Sequence, residues 1–188
     1  MRKYPRASLL ALAALAAFAL SGCFAATPVE PPAPTASATP VFASEEEALA
    51  AATEAYAAYQ QAVDGALTTY EIDRLSKVSV GTALEEAVSS VAEFVESDQR
   101  QFGSSAVKVV SIVDASSLVD GSELDQFLQI YACLDLGGTD VLDGEGRSVV
   151  PAGSARVYPL IATLTWSDQA SRLLVSSEES WDGKNFCA

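Results

Sequence analysis

The sequence predicts an α+β domain in which two amphipathic helices come first and an antiparallel sheet follows. Two observations carry this. From Ser44 to about Arg100 apolar residues recur at spacings of three and four, whereas beyond Gly103 they alternate or form β-branched runs. Gly-rich pairs then punctuate the second half as hairpin turns would, and no fixed-period repeat interrupts the order. The segment from Ser44 to Ala188 is long enough for one core to bury most of its apolar surface.

Ahead of this domain, Arg2, Lys3 and Arg6 form a basic start, and Ala7 to Leu20 is an apolar run of Ala, Leu, Phe and one Ser. As a helix that run reaches only about 21 Å, short of a hydrocarbon core of roughly 30 Å, so a signal segment is expected rather than a permanent span. It closes on Leu20-Ser21-Gly22-Cys23, which resembles the lipobox of bacterial lipoproteins. The resemblance implies cleavage after residue 22, a diacylglyceryl group on the Cys23 thiol, and attachment to the outside of the cell membrane. An ordinary secretory signal cut after Ala26 is the other reading. Two acyl chains, at about 0.8 kcal/mol per buried methylene, hold a protein far more firmly than one.

Residues 23–43 read as the lipidated cysteine and a linker, with Pro28, Pro31, Pro32, Pro34 and Pro40 among Ala, Thr and Ser. In polyproline geometry Phe24 to Ala43 would lift a domain about 60 Å above its anchor. Ser44-Glu45-Glu46-Glu47 is an N-cap with a capping-box acid. Leu49, Ala52, Tyr56, Tyr59 and Val63 then share a helical face that Gly65 is expected to end. A turn is expected over Glu71 to Ser76. A second stripe, Leu84, Val88, Val91 and Val95, predicts a helix from Thr82 to Arg100 with Gly103 as its stop.

Val107 to Val113, Leu128 to Leu136, Val157 to Trp166 and Leu173 to Trp181 predict four strands. Gly137-Gly138 and Asp143-Gly144-Glu145-Gly146 supply turns. With Cys23 assigned to lipid, Cys133 and Cys187 remain as an even pair in an oxidising compartment, and a structural disulfide is expected. A redox pair has no C-x-x-C spacing behind it.

The order of these pieces resembles that in lipoproteins of high-GC Gram-positive bacteria: Glu-rich opening helices, Tyr131-Ala132-Cys133-Leu134-Asp135, Val141 to Arg147, and Trp181-Asp182-Gly183 with Cys187. The resemblance covers Ser44 to Ala188 and implies an NTF2-like cone, helices packed across a curved antiparallel sheet. It carries no activity with it.

Charge and residue types narrow the function. The chain has 11 Lys and Arg against 25 Asp and Glu, a net charge of −14. Losing Arg2, Lys3 and Arg6 would leave eight bases and a net charge of −17, which disfavours nucleic acid and anionic lipid surfaces as partners. The absence of histidine excludes His-based triads and His-ligated metals, and no phosphate-cradling or nucleophile-elbow motif appears. No cofactor is expected.

Three constellations remain. Ser105-Ala106-Val107-Lys108 matches S-x-x-K, yet it enters a predicted strand, where positions three apart face opposite ways. Asp140, Asp143 and Glu145 offer oxygens to a cation, but Asp-Gly followed by Gly is what a hairpin turn requires. Ketosteroid isomerases, which share the NTF2-like fold, move protons with carboxylates and a tyrosine; Tyr56, Tyr59, Tyr131 and Asp135 are the candidates here, against a simple packing role. The sequence therefore reads as an anchored extracytoplasmic binding or interaction module whose partner is an envelope protein or a small ligand. A small-molecule isomerase or lyase is the alternative.

Overall fold

The computed structural model describes residues 40–119 and 126–187. The signal segment, Cys23 and the linker up to residue 39 lie outside the described residues. The linker's expected last residues belong to the folded body, because the Val41 and Phe42 N–H groups both donate to the Leu118 carbonyl and Phe42 is buried.

The first helix, α1, runs Glu45–Thr69. Ser44 caps it, its hydroxyl accepting from Glu47 N at 3.2 Å, while the Glu47 carboxylate accepts from Ala43 N at 2.9 Å. Gly65 does not end the helix as expected. Ala66 and Leu67 beyond it are buried against Leu75, Ala87 and Val91, and that packing outweighs the roughly 1 kcal/mol cost of one glycine. The stop is Tyr70, left-handed at φ 65°, whose hydroxyl donates to the Gln99 carbonyl at 2.6 Å. A single 3-10 turn, Leu75–Lys77, follows.

Helix α2 spans Gly81–Glu96 and stops short of the expected Arg100. Its buried stripe is Ala83, Ala87 and Val91; Val95, expected inside, is 53% exposed. Arg100–Gly103 is instead a short strand, β1, paired antiparallel with β4, Thr139–Leu142. Gly103 sits at φ 78° where that strand ends, within the close approach of the Gly138 carbonyl.

The main sheet joins β2 (Ala106–Asp114), β3 (Phe127–Asp135), β5 (Val157–Ser167) and β6 (Arg172–Ser180) in the order β2-β3-β5-β6, all antiparallel. A short helical turn, α3, Ser116–Val119, follows β2. Leu128, Ile130, Ala132, Ala162, Leu164 and Val175 point to one face and pack against Ala48, Ala52, Tyr56 and Tyr59 of α1. Helices on one face of an antiparallel sheet make this an α+β fold, as the periodicity predicts. The outer edge of β6 is not left open: Val80 N donates to the Val175 carbonyl and Val175 N to Val78, so the chain entering α2 covers it.

The opposite face carries the C-terminal tail. Cys133 and Cys187 form the expected disulfide, with Cα atoms 5.6 Å apart. Beside it Tyr131 meets the rings of Trp181 and Phe186, each with centroids 5.0 Å away.

Candidate functional site

The most perturbed titratable groups meet between α1 and β6, and a bulge puts them there. Strand β6 slips register against β5 between Val175 and Ser177, inserting Ser176. An inserted residue reverses which side chains face the core from that point on. Glu178, opposite the fully buried Ala162, is therefore turned inward, while Glu179 stays exposed.

Inside, Glu178 Oε2 accepts two hydrogen bonds, from the Tyr56 hydroxyl at 2.5 Å and from Gln60 Nε2 at 2.7 Å. Gln60 Nε2 also lies 3.2 Å from the Tyr56 oxygen, which closes the triangle. Residues 56 and 60 are one helical turn apart, so both reach the same carboxylate. Burial pushes the Glu178 carboxyl up from its ordinary value, the bonds from Tyr56 and Gln60 oppose this, and nearby Glu86 adds to it. Burial also raises the Tyr56 phenol, and the Glu178 charge raises it further. Tyr59, its ring 6.2 Å from that of Tyr56, is raised by burial and by the Glu178 and Glu86 charges, and its hydroxyl donates to the Ala83 carbonyl.

A second polar knot ties α1 to β1. Asp64 Oδ1 accepts from Gln101 Nε2 at 2.6 Å, and Oδ2 accepts from Ser105 N and Oγ at 2.8 and 2.9 Å. Ser105 of the S-x-x-K match is thus held by Asp64, while Lys108 is exposed on β2 opposite Cys133. Among the described residues no hydrogen bond joins Ser105 to Lys108, the pair that the motif requires.

The four residues expected to form an acid-base site are not assembled. Tyr56 and Tyr59 are neighbours, but Tyr131 lies on the other sheet face under the tail. Asp135 is exposed at the end of β3, where its Oδ1 accepts from Gly137 N at 2.7 Å. Alternation along β3 sends 131 and 135 away from the core that 128, 130 and 132 enter. Glu178, which the sequence reading passed over, supplies the inward carboxyl instead. Asp140 lies in β4 and the turn follows it over Asp143 to Gly146: Asp143 accepts from Arg147 N, the Arg147 guanidinium and Glu145 N, bonds that hold its carboxyl below the ordinary value. Asp140 accepts from Ser148 Oγ at 2.7 Å, and Glu145 pairs with Arg147 at 2.6 Å.

Among the described residues every fully buried side-chain polar atom has a hydrogen-bond partner. Three cavities, of about 280, 290 and 390 Å³, are lined by residues other than Glu178 and Tyr56. No described helix is long and apolar enough to cross a membrane.

No protein-family model and no curated protein matches the sequence. The fold is similar to the crystal structure of the intermembrane space region of the chloroplast protein ARC6, with a TM-score of 0.50 and 16% identity over 70% of this chain and 95% of that one. At that identity the likeness speaks for the fold alone.

Proposed function

We propose that this chain is a lipid-anchored, extracytoplasmic lipoprotein of a bacterial envelope whose NTF2-like domain is a non-catalytic binding or interaction module. The observation that carries the non-catalytic half is the closed triangle of Tyr56, Gln60 and Glu178. The strongest acid-base candidate accepts two hydrogen bonds on one oxygen, and it lines none of the three cavities described above. A carboxyl meant for proton transfer must come within hydrogen-bond reach of a substrate, directly or through one water. The Cys133–Cys187 disulfide supports the compartment, since such bonds persist in oxidising surroundings. Leu20 to Cys23 supports the anchor, and the acidic body gains nothing from anionic head groups without one.

Intact mass of protein extracted from membranes tests the anchor. A chain beginning at a diacylglyceryl-modified Cys23 is expected; an unmodified chain beginning near Thr27 overturns it. An isomerase or lyase is the second reading, favoured by the raised Glu178 carboxyl beside Tyr56. Its test is turnover of an enolisable ketone that Glu178→Gln abolishes.

A further inference from the structure

A groove beside α1 joins an apolar half to a basic half. The apolar half, a cavity of about 280 Å³, lies between α1 and the start of β6 and is walled by Phe42, Ala55, Val78, Trp166 and Leu173. Phe42 and Trp166 meet edge to face there, with centroids 5.7 Å apart. The adjoining cavity, about 390 Å³, is lined by Arg74, Lys77 and Arg172 with Gln61 and Ala62. Ala58, Val78 and Arg172 belong to both. Each volume is on the scale of small-ligand sites, roughly 300–1,000 Å³.

The concentration of positive charge is out of keeping with the rest of the molecule. Beyond the signal segment the chain has eight Lys and Arg against 25 acids, and three of the eight line this one cavity. None of the three is paired with a carboxylate among the described residues, whose ion pairs both involve Arg147. Arg172 donates to the Lys77 carbonyl, which fixes the guanidinium at the junction and leaves most of its five N–H donors unused. Along α1 the two halves run from Ala51 to Ala62, about 16 Å of helix. Glu54 lies on the apolar half, so an anion is repelled at that end and attracted at the other.

We propose that this groove binds a single-chain amphiphile with an anionic head group, of the fatty-acid class, its tail against Phe42, Trp166 and Leu173 and its carboxylate at Arg74, Lys77 and Arg172. The proposal rests on the reading of the domain as a binding module and gives that module a ligand class.

The test is calorimetric titration of the full chain carrying Cys23→Ser, so that no attached lipid competes, with dodecanoate below its micellar concentration. Saturable one-to-one binding is expected, with dodecyltrimethylammonium and acetate each at least about tenfold weaker. Arg74→Glu with Lys77→Glu, both at exposed positions, is expected to weaken dodecanoate by at least about tenfold, and Arg74→Lys with Lys77→Arg to restore it. No binding of dodecanoate, equal binding of the cationic amphiphile, or an affinity untouched by the charge reversal would each overturn the proposal. No binding by a chain whose native form carries diacylated Cys23 removes this ligand and keeps the anchored module; binding by a chain whose native Cys23 is bare does the reverse.

Discussion

The Tyr56 hydroxyl donates to Glu178 Oε2 over 2.5 Å, linking the first helix to the last strand across 122 positions of sequence. The fold raises the Glu178 carboxyl, so its neutral form is the one the interior favours. Its contribution is complete below the ordinary carboxylate value of 4.5 and is lost as pH rises through the higher folded value. Wild type is therefore expected to lose stability relative to Glu178→Gln as urea unfolding is repeated from acid toward neutral pH. A difference that stays flat with pH counts against it.

Tyr56→Phe deletes a buried hydroxyl that serves both Glu178 and Gln60, and is expected to cost about 1–3 kcal/mol. Tyr59→Phe removes only a 3.3 Å bond to the Ala83 carbonyl and should cost less. Denaturant midpoints of the two variants give the order directly.

Asp64→Ala strands Gln101 and Ser105, which both donate to the carboxylate from beyond α2. A loss of about 3 kcal/mol is expected. Amide exchange should quicken first over Arg100–Gly103, because the knot holds that strand to α1.

Gly103→Ala places a Cβ 2.0 Å from the Gly138 carbonyl oxygen at φ 78°. The expected cost is at least about 2 kcal/mol, from strain and from separation of β1 and β4. Gly153→Ala at φ 81° has open space around it and should cost only the backbone penalty, about 1 kcal/mol. Equal melting temperatures for the two variants would contradict the steric part.

Cys133→Ala with Cys187→Ala opens a loop of 54 steps, for which the chain-entropy estimate is roughly 4 kcal/mol. Thermal unfolding should shift accordingly, and Trp181 should become accessible to a soluble quencher as the tail leaves Tyr131.

The fold class was legible because period is a local property: α1 and the four strands of the main sheet declare themselves in windows of ten residues or so. The short sheet was not. Arg100–Gly103 and Thr139–Leu142 have four residues each and become strands only by meeting one another, a contact no local window contains. The stripe Leu84 to Val95 misled for a related reason, since α2 buries its alanines against α1 and β6, and size alone does not mark an inward face. Glu178 escaped because alternation from Val175 assigns the inward position to Glu179, and only the inserted Ser176 reverses that. Asp135 was misplaced by proximity in sequence to a promising strand, whereas alternation along that strand already turned it outward.

The bond between Cys133 and Cys187 also sets how the molecule responds to force. It closes β4, β5, β6 and the tail into a covalent ring, so tension entering through Val41 and Phe42 can unravel only chain ahead of Cys133. Stretched from its N-terminal side, the protein would yield its helices, β1 and β2 and stop at the ring. Single-molecule pulling should show an extension that lengthens by the ring's contour once reductant is added.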